Sequence, residues 1–187
     1  MYDKSFIIKL ILKGTKMTEP LTLTKLIVLY MLDQVDFPLK QSQIFDFILN
    51  EKEYTNYFTL MTATSELVDS SLVEISKTHS STFMSLTPSG SETLKYFRSK
   101  ISDGIKSDIV NYFEKNKMEI REEVSVMSNY FRTSGGDYVA DLFARENSHD
   151  LLNLKVYMPT EDAAEKICEH WKTKSQEIYA YLMENLL

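Results

Sequence analysis

Apolar residues recur every three or four positions across residues 23–35, the first strongly patterned segment of the chain. This spacing is typical of one face of a helix, and Thr22 is its expected N-cap. Pro38 disfavours a helical conformation at Phe37, so we expect the helix to end at residues 36–39. The positions that define the pattern are Leu23, Leu26, Ile27, Tyr30, Met31 and Leu32.

Two further helical patterns follow this break. The third helix is expected to begin at Thr55 or Asn56, either of which can cap it, and to end near Ser70. Its apolar spacing turns three residues inward, namely Leu60, Ala63 and Leu67. The second helix covers residues 41–49, and its apolar side consists of Ile44, Phe45, Ile48 and Leu49.

Alternating residues predict two β-strands, residues 72–76 and 82–86, joined by a loop at residues 78–81. Thr87 is placed to cap a fourth helix. Pro88 suits the first turn of that helix, because the N–H that a proline lacks has no partner there in any case. The apolar positions of this helix are Leu94, Phe97 and Ile101.

Three helices, a hairpin and a further helix therefore follow one another between residues 22 and 101, which is the order of a winged helix-turn-helix. Within it, Leu67-Val68, Leu72-Val73 and Leu86-Thr87-Pro88-Ser89-Gly90 resemble the helix-to-wing junction and the Leu-Thr-x-x-Gly wing exit of PadR-like and MarR-like regulators. Residues 23–39 and 54–60 resemble a bacterial winged-helix family of unknown function, and this likeness extends over most of the chain. The resemblance implies a transcriptional regulator. Ser71 departs from it, because such domains usually have a glycine there.

The pattern changes after residue 102. A connecting helix is expected first, and residues 120–131 then read as a long strand, with a helix as the alternative for the first few of them. Residues 133–137 predict a hairpin turn, since Gly135 and Gly136 suit one. Strands at residues 138–144 and 152–158 follow, and a helix begins after Pro159. We expect a three-stranded antiparallel meander covered by one or two helices.

The predicted fold class is therefore α+β, an N-terminal winged helix-turn-helix followed by a small C-terminal antiparallel β-meander with helices. The expected divisions are an N-terminal extension (1–21), the winged helix (22–101), a connecting helix (102–117) and the C-terminal α+β domain (118–187). Met17 leaves open whether residues 1–16 belong to the native start.

Charge and composition favour a cytoplasmic protein that is not a general nucleic-acid binder. The net charge of −6 has the wrong sign for such a binder. Residues 22–100 hold seven Lys and Arg against nine Asp and Glu, so the DNA-reading part is close to neutral. The single cysteine, Cys168, cannot form an internal disulfide. The apolar residues 6–12 are too short for the roughly 20 residues of a membrane span, so no membrane contact is expected.

In helix-turn-helix proteins, the helix after the turn enters the major groove of duplex DNA. The polar residues expected on the outer side of the third helix can bond base edges, but no Lys or Arg lies between Glu53 and Ile75. Phosphate contacts then fall to residues at helix ends and in the wing, Lys25 among them. A solvated or protein-binding face, made acidic by Glu66 and Asp69, is the alternative. The candidate DNA-binding residues are Asn56, Thr59, Thr62, Ser65, Lys40, Lys77, His79 and Ser80.

No catalytic, metal or cofactor site is expected. Cys168 and His170 are two positions apart, which places them on different sides of a helix, and no phosphate-binding glycine loop or metal-ligand spacing occurs. The aromatic residues Tyr54, Tyr57 and Phe58 are expected to pack in the core as a hydrophobic staple, with a partner-binding patch as the alternative. We expect a homodimer on duplex DNA, and a protein-interaction adaptor is the second hypothesis. Whether an effector binds to the meander stays open.

Overall fold

The computed structural model describes residues 19–78, 81–146 and 149–187. Within them the chain is α+β, with six α-helices and two small antiparallel three-stranded sheets. Internal contacts divide it into two compact units. The first comprises the described residues of Met1–Ser76 with Thr82–Lys117, and the second comprises those of Lys77–Ser81 with Met118–Leu187.

The first unit contains a sheet of strand order β1-β3-β2 and the helices that surround it. Short π-helical and 3-10 segments, Asp46–Glu51 and Arg98–Lys100, extend two of these helices. The elements are α1 (Glu19–Asp33), β1 (Leu39–Lys40), α2 (Gln41–Phe45), α3 (Tyr57–Asp69), β2 (Val73–Lys77), β3 (Thr82–Leu86), α4 (Pro88–Phe97) and the first part of α5 (Asp103–Ser125).

Helix α1 is the centre of the first unit. Every residue from Thr24 to Leu32 is buried, so the helix is enclosed on all sides instead of presenting one apolar face. Thr22 lies inside the helix, which is already formed at Glu19, the first described residue, so the expected N-cap at Thr22 is wrong. The hydroxyl of Thr24 donates to the carbonyl of Pro20 (2.9 Å) in the first turn.

Helix α3 has a side-chain cap at its start and a left-handed turn at its end. Asn56 caps α3, and its side chain accepts a hydrogen bond from the N–H of Thr59 (2.9 Å). The helix ends in a Schellman motif, in which the N–H of Leu72 donates to the carbonyl of Leu67 (2.9 Å). The C′ position of that motif is left-handed, and Ser71 occupies it with φ 56°. Serine at position 71, in place of the glycine usual in the domains that this segment resembles, therefore leaves the turn intact.

Thr87 and Gly90 join the hairpin to α4. The Thr87 hydroxyl accepts from the N–H of Gly90 (3.0 Å), as the capping prediction requires, and Pro88 occupies the first turn. A Cβ at position 90 would lie 2.1 Å from the carbonyl oxygen of Leu72. Only glycine fits there, because α4 begins directly against the backbone that enters β2.

The second unit is a three-stranded meander with a helix packed on it. Its strands are β4 (Val126–Arg132), β5 (Tyr138–Glu146) and β6 (His149–Met158), in the order β4-β5-β6, and α6 spans Glu161–Leu186. The antiparallel meander predicted from sequence is confirmed. Of the strand expected at residues 120–131, the part from Val126 is confirmed, whereas the helical alternative holds for the residues before it. Helix α5 continues to Ser125, because Ile120 and Val124, four positions apart, are buried on one helical side.

Helix α6 covers the sheet with residues spaced four, three and four positions apart. Ala164, Cys168, Trp171 and Ser175 are buried along this side. The indole N–H of Trp171 donates to the backbone carbonyl of Phe143 (2.9 Å). The opposing positions on β5 are small or aliphatic, which leaves room for the large ring; they are Ala140, Leu142 and Ala144.

Candidate nucleic-acid interface

Helix α3 has one buried side and one exposed side with several polar residues. Leu60, Ala63 and Leu67 are buried, as the helical spacing predicts. Of the candidate DNA-binding residues on α3, Asn56, Thr62 and Ser65 are exposed, Thr59 is half-buried, and the four lie within three turns.

Hydrogen bonds inside the helix occupy part of this polar side. The side chain of Asn56 serves as the cap, which reduces its freedom to bond another molecule. The Thr62 hydroxyl donates to the carbonyl of Phe58 (2.9 Å), so its proton is engaged while its methyl group and oxygen lone pairs remain outward. Ser65 makes no side-chain hydrogen bond within the described part of the chain. Ser65 is therefore the polar group of α3 that is most available to a ligand.

Lys25 does not lie where a phosphate contact requires it. It is buried in α1, and its ammonium forms an ion pair with the carboxylate of Glu66 on α3. The side chains are only 8% and 25% exposed. The expectation that Lys25 reaches a DNA backbone is therefore wrong. The pair also neutralises Glu66, so the acidic character expected of the α3 face is reduced to Asp69.

The other basic candidates and those of the loop between β2 and β3 are dispersed. The backbone N–H of Lys40 donates to the side chain of Gln43 (3.0 Å) at the start of α2. Lys77 is exposed at the end of β2, and its carbonyl accepts a hydrogen bond from the amide of Asn129 (3.4 Å). His79 and Ser80 lie outside the described residues.

The aromatic residues at the start of α3 are not core residues. Phe58 is 82% exposed and Tyr57 is 54% exposed, so their expected packing as a core staple is wrong. Phe58 lies almost opposite the buried side of the helix. Tyr57, three residues before Leu60, lies at the edge of that side. The rings of Tyr57 and Phe58 meet edge to face (6.0 Å between centroids), and Met61, 39% exposed, lies one turn further on.

Tyr54, half-buried, belongs to a different arrangement that the sequence did not indicate. Its hydroxyl donates to Oδ2 of Asp108 on α5 (2.6 Å), and the ammonium of Lys52 donates to Oδ1 of the same carboxylate (2.9 Å). We call these three residues the Asp108 clamp. The clamp members lie 54 and 56 positions apart in sequence, and no local pattern pairs them.

The clamp affects the acidity of its members. The hydrogen bond from Tyr54, followed by that from Lys52, holds the pKa of Asp108 below its ordinary value. Burial, reinforced by the bond to Asp108, raises the pKa of Tyr54. Both shifts favour the ionised carboxylate and the neutral phenol that the geometry requires.

Residues 24–186 match a family described as a domain of unknown function (DUF4364). The chain belongs to the DUF4364 family. No curated protein and no solved structure matches it.

The second unit of this DUF4364 protein contains the single cysteine. Cys168 is buried, its thiol donates to the carbonyl of Asn129 (3.4 Å), and burial raises its pKa. His170 is exposed on another side of α6. Within residues 19–78, 81–146 and 149–187, no three His, Cys, Asp or Glu side chains are grouped to hold a metal ion.

Among the described residues, none of the helices combines the length and the apolar character that crossing a bilayer requires.

Proposed function

We propose that this DUF4364 protein is a DNA-binding transcriptional regulator whose first unit is a winged helix-turn-helix. The order α1-β1-α2-α3-β2-β3-α4 and the sheet order β1-β3-β2 support this interpretation. In it, α2 and α3 form the helix-turn-helix and the β2–β3 hairpin is the wing. The C-terminal unit assembles or regulates the protein.

The observation that carries the proposal is the polar outer side of α3. Asn56, Thr62 and Ser65 are exposed on a helix whose other side is buried in the unit. Amide and hydroxyl groups bond base edges in the major groove, and a threonine methyl contacts the methyl of thymine. Residues near the N-terminus of the helix after the turn are the ones that reach bases in this class of domain.

The charges near α3 predict an unusual salt dependence. Residues 54–74 contain no Lys or Arg, and Lys25 is engaged with Glu66. Each neutralised phosphate contributes about −0.9 to the slope of log affinity against log salt concentration. With few such contacts the slope is shallow, and specificity comes from base contacts and DNA shape.

A homodimer is part of the proposal, because two copies double a small set of contacts. Two related recognition helices bind half-sites about 34–36 Å apart. Sedimentation equilibrium of the free protein and of its DNA complex tests this. Two protein copies on each bound duplex are expected, and a single copy on a high-affinity duplex would contradict the dimer.

The test of DNA binding begins with selection from a pool of random-sequence duplexes at low salt. Fluorescence anisotropy on the enriched duplex then compares variants. Ser65→Ala and Thr62→Val remove a hydrogen-bonding group and should each weaken binding about fivefold. Ser107→Ala, which removes an exposed hydroxyl from α5, is the matched control and should bind like the wild type. No enrichment of any sequence would refute the proposal.

A second candidate function is a protein-interaction adaptor, and the exposed aromatic residues of α3 favour it. Tyr57, Phe58 and Met61 form an apolar patch on the same helix. Aromatic residues and methionine are enriched at protein interfaces, whereas charged residues are depleted there. Because Glu66 is already paired, apolar contact would provide most of the affinity and Asp69 would add only a peripheral charge.

Phe58→Ala separates this candidate from core effects, because the ring is almost fully exposed and its loss leaves the fold intact. If one stoichiometric protein co-purifies with the wild type, Phe58→Ala should release it. Tyr96→Ala, which removes a ring that is 54% exposed from α4, is the control and should retain it. Charge reversal at Glu66 is unsuitable, because it would leave Lys25 beside a like charge.

A further inference from the structure

The Asp108 clamp joins helix α5 to the segment that leads into α3. One carboxylate accepts two hydrogen bonds from this segment, from Lys52 at 2.9 Å and from Tyr54 at 2.6 Å. Both partners follow the π-helical segment Asp46–Glu51 and precede the N-cap Asn56. The clamp therefore contacts the chain immediately before the polar side of α3 begins.

The residue between the two donors is strained. Glu53 has φ 51°, in the left-handed region that residues other than glycine rarely adopt. Such conformations persist where surrounding contacts hold them, and they occur often at functional sites. Here the flanking residues on both sides, Lys52 and Tyr54, bind the same carboxylate of Asp108.

Further contacts fix Tyr54 in the same position. Its N–H donates to the carbonyl of Ile48 (2.9 Å), and its ring meets that of Phe47 edge to face (6.1 Å between centroids). The ring of Phe47 in turn packs against that of Tyr112 on α5 (4.8 Å between centroids). Only Thr55 separates the anchored Tyr54 from the cap residue Asn56.

We propose that Asp108 is a positioning residue for the ligand-binding side of α3, acting through Lys52 and Tyr54 to hold the strained loop and the first helical turn in one conformation. Asp108 itself does not touch the ligand. The effect on DNA affinity rests on the proposed function, whereas the effect on the first turn of α3 does not.

Residue-resolved hydrogen exchange tests the positioning effect directly. The amides of Thr59 and Leu60 donate to Asn56 and report on the first turn. Asp108→Ala and Tyr54→Phe should accelerate their exchange about tenfold, while exchange in the centre of α1 stays unchanged. Unchanged rates at Thr59 and Leu60, or an equal rise in α1, would overturn the proposal.

Asp103→Asn is the matched control for loss of a carboxylate from α5. Asp103 is almost fully exposed and, among the described residues, pairs only with Lys106 in the same helix, so its removal should leave the exchange of the α3 amides unchanged. A rise equal to that of Asp108→Ala would show that helix charge, and not the clamp, protects α3.

A glycine at position 53 tests the strain. Glycine adopts the left-handed conformation without steric cost, so the loop should depend less on the clamp in the Glu53→Gly protein. Asp108→Ala should then accelerate exchange at Thr59 by no more than about threefold. An effect as large as in the wild-type background would contradict the proposal.

Affinity for the enriched duplex connects the clamp with function. Tyr54→Phe and Asp108→Ala should weaken binding about tenfold, and Asp103→Asn should not. If the wild type binds no duplex, the proposed function fails while the exchange data still decide the clamp. If exchange rises in the variants but duplex affinity does not change, the positioning role fails and the proposed function stands.

Discussion

Removing one partner of the Lys25–Glu66 pair should cost more than removing both. The Lys25 side chain is 8% exposed, so Glu66→Ala leaves an ammonium group with little access to water. Breaking such a pair from one side costs about 3–5 kcal/mol, and the low end applies because Glu66 lies near the surface. Lys25→Met leaves a carboxylate that is 25% exposed and can recover part of its hydration, so about 1–2 kcal/mol is expected.

The double variant Lys25→Met/Glu66→Met removes both charges and keeps apolar contacts in their place. Its unfolding free energy should lie within about 1 kcal/mol of the wild type, because apolar replacement of a buried pair is often close to neutral. With Glu66→Met as the second single variant, expected to cost as much as Glu66→Ala, the cycle gives a coupling of roughly 3 kcal/mol or more between the two residues.

Urea unfolding followed by far-UV circular dichroism and by hydrogen exchange in α1 measures these values. Fluorescence would report on the wrong region, because the single tryptophan, Trp171, lies in the second unit. If Glu66→Ala costs less than about 0.5 kcal/mol, the pair behaves like an exposed salt bridge. The burial argument would then be refuted, and Lys25 would again be available to a phosphate.

The backbone and the clamp give three further predictions. Gly90→Ala should destabilise the first unit by about 3 kcal/mol or more, because the new Cβ would lie 2.1 Å from the carbonyl of Leu72; an unchanged urea midpoint would contradict this. Ser71→Gly should stabilise it by about 1 kcal/mol, because Ser71 is left-handed; thermal unfolding measures the gain, and a loss would show that the side chain matters more. Because the pKa of Asp108 is lowered in the folded protein, its contribution to stability is complete above pH 3.8, its ordinary pKa. That contribution is lost as the pH falls through the lower pKa of the folded protein. Acid titration of Asp108→Asn should therefore show a smaller loss of stability below about pH 4 than the wild type, and parallel curves would argue against the shift.

Local signals in the sequence predicted much of the fold. The caps at Asn56 and Thr87 depend on residues within three positions of each other, and the turn at residues 133–137 depends on Gly136, whose φ is 96°. Alternation predicted β5 and β6 because one side of the meander packs on α6 while the other carries polar residues such as Asp141 and Lys155.

Errors arose where tertiary contact overrides local pattern. Helix α1 is buried on every side, so its start could not be read from the edge of one apolar face. Residues 120–125 are rich in charged residues and end in a strand-forming segment, yet Ile120 and Val124 keep them in α5 through burial.

The candidate site was less predictable than the fold. Burial of Lys25 depends on α1 being enclosed and on Glu66 lying beside it across the α1–α3 contact. The Asp108 clamp joins residues more than fifty positions apart. The exposure of Phe58 follows from which side of α3 the unit covers. The first two are properties of packing between elements and leave no trace in a local window, whereas the helical spacing of α3 already places Phe58 away from the buried side.

The burial of Cys168 makes this residue a natural probe of local opening in the second unit. It is the single thiol of the chain, and it lies on the side of α6 that packs on the meander, against the carbonyl of Asn129. A thiol-reactive reagent can label it only when α6 separates locally from the meander, so the labelling rate measures how often that opening occurs. Any ligand or partner that tightens the second unit should slow the labelling without contacting the cysteine.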